Sequence, residues 1–129
     1  MKQNKPAMKI IETPNQHNVF CKPYKEITYL GKELWCVKIG LHNTAEGIRF
    51  ESDIFGSLRG AHTKSPTYQS EHEAVTAFLA LAESEIKQRI EKAHDYTEID
   101  MQPYGRSAFV RHLAAIKKII AKHNQLQLF

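Results

Sequence analysis

Seven histidines, His17, His42, His62, His72, His94, His112 and His123, are the residues best suited to chemistry near neutral pH, as proton carriers or metal ligands. Their spacing does not gather them. No pair has the H-x-x-x-H step that sets two imidazoles on one helical face, and His112 and His123 share a side only about three turns apart. Surface histidines and no metal are expected. Glu85-Ile86-Lys87, with Asp53 upstream, spells the acid-x-lysine half of a nuclease centre, but its carboxylates would have to converge on a divalent ion at a strand end. Here the triplet falls in a helical stretch. Ser57, Ser65 and Ser70 lack a G-x-S-x-G context, Cys21 has no evident base, and no glycine loop cradles phosphate. An enzyme is not expected, nor a cofactor.

The chain of 129 residues matches one domain, and its 42% hydrophobic and 25% charged content predicts a single globular core rather than disorder. No apolar run approaches a membrane span and none follows Met1 as a signal segment, so a cytoplasmic protein with no membrane contact is expected. Cys21 and Cys36 have neither zinc spacing nor secretory context, and read as reduced residues in or beside strands. Charge is unevenly placed. Residues 1–100 carry 13 Lys/Arg against 14 Asp/Glu, whereas residues 101–129 carry five Lys/Arg and no acid, so the whole excess of +4 belongs to the last segment. Such asymmetry points to an anionic partner, nucleic acid first.

The elements that would position these groups follow from periodicity. Residues 1–18 read as a flexible arm, with a short apolar run that could add an edge strand. Beyond Val19, turn residues divide β-branched and aromatic runs into strands at Glu26 to Leu30, Leu34 to Leu41 and Ile48 to Phe55, with a turn over His42 to Gly47. Alternation places Trp35, Val37, Ile39 and Leu41 on one face with Ile48, Phe50, Ser52 and Ile54, and sets Arg49, Glu51 and Asp53 opposite. Gly56 to Gln69 reads as a long loop.

Ser70 followed by Glu73 is a capping-box pattern, so a helix should start there, with Val75, Phe78, Leu79, Ala82, Ile86 and Ile90 facing the Trp35/Phe50 side of the sheet. After a polar stretch from His94 to Gly105, a second helix is expected from Arg106 or Ser107 to Lys122. Phe109, Leu113, Ile116 and Ile120 form its apolar stripe, and Arg111, Lys118 and Lys122 a cationic stripe nearly opposite. The fold class is thus α+β: an antiparallel sheet of three or four strands packed by one long helix, then a basic amphipathic helix. The expected division is arm 1–18, domain 19–122 and tail 123–129.

Gln125-Leu126-Gln127-Leu128-Phe129 places bulky apolar side chains where a chain normally frays. These five residues resemble the bacterial sliding-clamp-binding motif, a Gln-Leu-x-Leu-Phe peptide through which replication and repair proteins engage the polymerase processivity clamp. The likeness covers the last five residues alone. It implies that Gln125, Leu126, Leu128 and Phe129 contact the clamp, with two apolar side chains entering a groove while the amide sets register. Beside a clamp lies duplex DNA, and Arg111, Lys118 and Lys122 are the residues expected to meet its phosphates without sequence preference. The expected function is a non-enzymatic DNA-transaction accessory of phage, plasmid or other mobile-element type.

Two other readings compete. The strand-strand-strand-helix order is faintly similar to the sheet modules with which mobile-element integrases enter the major groove, although the residues Glu26, Lys38, Arg49, Glu51 and Asp53 sum to −1 where phosphates ask for positive charge. The other is a protein-directed inhibitor of a host system, using the Gly56 to Gln69 loop as its contact surface.

Overall fold

β-Branched and aromatic residues at alternate positions build a four-stranded antiparallel meander, β2 (Lys25–Lys32), β3 (Trp35–Thr44), β4 (Gly47–Ile54) and β5 (Ser57–Arg59), ordered β2-β3-β4-β5. The computed structural model describes residues 10–32, 35–92 and 106–126. Two helices, α1 (Glu71–Lys92) and α2 (Arg106–Leu126), complete the α+β fold. Both pack on the sheet face that alternation selects: Val37, Ile39, Leu41, Ile48 and Ile54 form one cluster with Val75, Phe78, Leu79, Ile86, Phe109 and Ile116. The stretch 93–105, expected to break the chain between the helices, lies outside the described residues.

Turn chemistry sets the register. Thr44 Oγ1 donates to the Gly47 carbonyl at 2.7 Å, closing a two-residue turn over Ala45 and Glu46, so β3 runs three residues beyond its expected end at Leu41. Between β4 and β5, Phe55 and Gly56 both have positive φ, 51° and 88°, the pair that a twisted two-residue hairpin asks for. A phenylalanine is a poor occupant of that conformation. It is held there because its ring is buried, 4.8 Å from Trp35 and 5.9 Å from Phe109 between centroids. Gly31, at φ 72°, lies so close to the Trp35 carbonyl that any Cβ would collide with backbone.

α1 begins as the capping pattern dictates. Ser70 Oγ accepts the Glu73 N–H at 3.1 Å, and Glu73 Oε1 reaches back to the Gln69 N–H at 3.0 Å. The Gly56 to Gln69 stretch, expected as loop, differs from that reading: it holds β5 and a two-residue strand β6 (Ala61–His62), which pairs with β1 (Val19–Phe20). Strands this short carry too little periodicity to be seen in sequence.

The opposite sheet face is covered in part, around His42 and Arg49, while Lys38, Glu51 and Asp53 stay half-exposed. The β1–β6 pair lies beside β4, with the Phe20 ring 6.3 Å from that of His42 and 5.5 Å from the Arg49 guanidinium, and residue 12 bridges to the end of β3, where the Glu12 N–H donates to the Asn43 carbonyl at 2.7 Å. Arg49, expected on the exposed side, is 4% exposed. Its Nη1 donates to the Ser65 carbonyl, Nη2 to Glu46 at 3.1 Å and Nε to Thr44 Oγ1 at 3.2 Å. The correction has a plain cause: alternation distinguishes two faces of a strand, but cannot say that a second layer lies on the polar one.

Candidate partner-binding helix

α2 is positioned through its apolar stripe. Phe109 and Ile116 are buried and Leu113, Ile119 and Ile120 half-buried against the core, while Arg111, Lys117, Lys118 and Lys122 are exposed. At about 100° per residue, Arg111, Lys118 and Lys122 lie within about 20° of one line down the helix. The helix does not stop at Lys122 as its last apolar position suggests, but runs to Leu126. Gln125 therefore falls within about 40° of the same line, and is exposed. Arg111 to Gln125 spans roughly 21 Å along the axis. The first residue of the clamp-like peptide thus continues the cationic stripe. Leu126 is helical, whereas the Leu128 and Phe129 assignments fall outside the described residues.

The far end of α2 is tied to the start of α1 by histidine chemistry. The rings of His72 and His123 stack at 3.9 Å between centroids, 14° from parallel. Thr76 Oγ1 donates to the His72 carbonyl at 2.8 Å, and His123 Nε2 lies 2.9 Å from that hydroxyl and 3.2 Å from the same carbonyl. Both contacts are satisfied when Nε2 carries the proton. Burial lowers the His123 pKa, partly offset by the His72 carbonyl and reinforced by the His72 ring. His112, near the other end, packs 4.7 Å from the Phe55 ring; burial and then Arg111 lower its pKa.

The other sequence candidates serve separate local contacts. Glu85 accepts from Arg59 at 3.1 Å and Glu83 lies 3.5 Å from Lys87, while Asp53 accepts the Gly56 N–H at 2.9 Å. Cys36 is buried and Cys21 exposed, both unpaired thiols. Burial first, and then Asp53 beside it, push the Cys36 thiol up. Among the described residues no three His, Cys, Asp or Glu side chains are grouped to hold a metal, and no helix is long and apolar enough to cross a membrane.

One constellation escapes the sequence reading. His42, expected as a surface residue in a turn, is wholly buried in β3, with Nδ1 2.7 Å from Glu12 and Nε2 2.6 Å from Glu51. The second oxygen of Glu12 accepts the N–H groups of Cys21 and Lys22, each at 2.8 Å. Two carboxylates on one imidazole favour its doubly protonated form, in which both nitrogens donate. Burial lowers its pKa, but the bonds to Glu51 and Glu12 outweigh that and leave it raised. The available signal was Cys36, Gly40 and Thr44 alternating with His42: small or polar residues that leave room for a covering layer. With the ring sealed from solvent and Glu51 half-exposed, this group clamps the segment around Glu12 to the sheet.

Comparison with protein-family models, curated proteins and solved structures gives no match, so this chain's own residues must carry the functional reading.

Proposed function

We propose that this is a non-enzymatic DNA-transaction accessory protein that binds the bacterial sliding clamp through Gln125, Leu126, Leu128 and Phe129. The peptide sequence itself carries the reading. Supporting it is the continuity of α2's exposed face, on which Gln125 follows Arg111, Lys118 and Lys122. A peptide seated on a clamp would bring that face beside the duplex the clamp encircles, where weak phosphate attraction adds to a short-motif contact. A phage, plasmid or other mobile-element role, exercised in the cytoplasm, fits such a protein.

The integrase-like sheet reading is less well supported, because Arg49, which with Lys38 supplies the positive charge of that face, is buried and held by three hydrogen bonds. The test is titration of the full chain with purified sliding clamp. Binding in the micromolar range, on the order of −8 kcal/mol, is expected, and removal of residues 125–129 should abolish it with the far-ultraviolet circular dichroism nearly unchanged. Exchanging Arg111, Lys118 and Lys122 for Gln should leave clamp affinity intact and weaken only the salt-sensitive attachment to clamp-loaded DNA. Undiminished clamp binding by the shortened chain ends the proposal.

A further inference from the structure

A cavity near 530 Å³ opens between the β4–β5 edge, the loop after β6 and α1, and the reading above makes no use of it. Its wall includes Phe50, Ser52, Arg59, His62, Lys64 and Leu81, and none of its lining residues is acidic. The polar side chains on it offer donors. Arg59 spends one donor on Glu85 and keeps others free to meet a ligand. His62 Nδ1 accepts the Lys64 N–H at 3.2 Å, so the neutral ring carries its proton on Nε2. Lys64 can only donate. Ser52 is 5% exposed, and its Oγ has no hydrogen-bond partner among the described residues.

A buried hydroxyl left without a partner is costly, and persists where something outside the fold completes it. The frame around it is rigid. β6 is paired with β1, the Thr63 N–H donates to the Asn18 carbonyl at 3.0 Å, the His62 N–H donates to Ser65 Oγ at 3.0 Å, and buried Arg49 holds the Ser65 carbonyl. Phe50, backed by Tyr68 and Phe78 at 5.9 and 5.8 Å between ring centroids, and Leu81 supply its apolar lining.

We propose that this cavity binds a phosphomonoester on a flat apolar body, of the size and kind of a nucleoside monophosphate. A phosphomonoester carries roughly −1.5 to −2 near neutral pH with three acceptor oxygens, which suits the two cations Arg59 and Lys64 and an imidazole N–H better than a carboxylate does. The volume exceeds what inorganic phosphate fills, and the Phe50/Leu81 wall takes the flat body. Ser52 Oγ, beneath the surface, reaches the ligand by moving between staggered χ1 wells. None of this rests on the Gln125 to Phe129 peptide.

Deoxyadenosine monophosphate, titrated into the full isotope-labelled chain and followed by amide chemical shifts, tests the proposal. Saturable shifts confined to the neighbourhood of Ser52, Arg59, His62 and Lys64 are expected, with a dissociation constant of roughly 0.1–1 mM. Arg59→Gln and Lys64→Gln should each weaken binding about tenfold, a loss typical of one charge-assisted contact. Deoxyadenosine should not saturate, and inorganic phosphate should bind more weakly than the nucleotide. Ser52→Ala should weaken the nucleotide while leaving the melting temperature of the free protein unchanged or higher. A lowered melting temperature would make that hydroxyl structural and remove it from the site. Absence of saturable shifts to about 10 mM nucleotide, equal affinity for deoxyadenosine, or indifference to both cation substitutions would overturn the site.

Discussion

At the scale of single residues, the energetic centre of the sheet's second face is the charge on His42. Its two carboxylates stand 2.6 and 2.7 Å away, and Glu51 reaches it by lying over Gly40, where a Cβ would come within 2.8 Å of the Glu51 Cγ. Removing one partner from such a buried pair typically costs about 3 kcal/mol, because the remaining charge is left without compensation. Glu12→Ala should therefore lower the denaturant midpoint by a corresponding amount and unprotect the amides of Cys21 and Lys22. The pH dependence has a definite sign. Since the folded-state pKa of His42 is raised, its contribution is complete below about 6.5, the unfolded value, and is lost as pH rises through the raised one. Melting temperature should accordingly fall on the alkaline side of neutrality, and Glu51→Gln, which keeps an acceptor but removes charge, should flatten that fall. An unaltered slope in the variant would contradict the assignment.

At the scale of elements, α1, α2 and the β4–β5 turn meet around Arg89. Its guanidinium lies 5.8 Å from the Phe55 and Phe109 ring centroids and 6.0 Å from that of Trp35, and Nη2 donates to the Ile54 carbonyl at 3.0 Å. In sequence Arg89 reads only as a cation favoured by the helix dipole, since rings from three distant segments are invisible to local pattern. The contact also offsets the strain of Phe55 at positive φ. Arg89→Ala should cost about 2 kcal/mol through lost stem packing, ring contacts and the carbonyl bond. Urea unfolding would measure it, with Arg89→Lys recovering part because a lysine keeps stem and charge but not the planar fork. By contrast, the start of α1 and the apolar stripes of both helices are legible, because Ser70, Glu73 and the three-and-four spacing act within one or two turns.

At the scale of the whole molecule, the two histidines that hold α2 work in the opposite pH sense to His42. The pKa values of His112 and His123 are lowered, so their contribution is present above about 6.5 and is lost as pH falls through the lowered values. Acid should loosen α2 from α1 and the sheet, and base should loosen the Glu12 segment. Hydrogen exchange of α2 amides should quicken on mild acidification while those of β3 and β4 stay protected, and His123→Gln should reduce the effect at the Gln125 end. Equal loss of protection throughout would mean that the molecule opens as one unit instead.

The sequence by itself determined the α+β class, the faces of β3 and β4 that turn inward, the cap of α1, the amphipathic character of α2 and the clamp-like spelling of residues 125–129. Each of these depends on residues close in the chain, through alternation, helical spacing or a turn. Only the tertiary structure decided that the polar sheet face is partly covered, that His42 and Arg49 are buried, and that donors from β4, β5 and the β6 loop line one cavity. Those outcomes join groups far apart in the chain, such as Glu12 with His42, 30 positions on, and Val19 with His62, 43 positions on. No local pattern encodes which distant segment will come to rest on a given face.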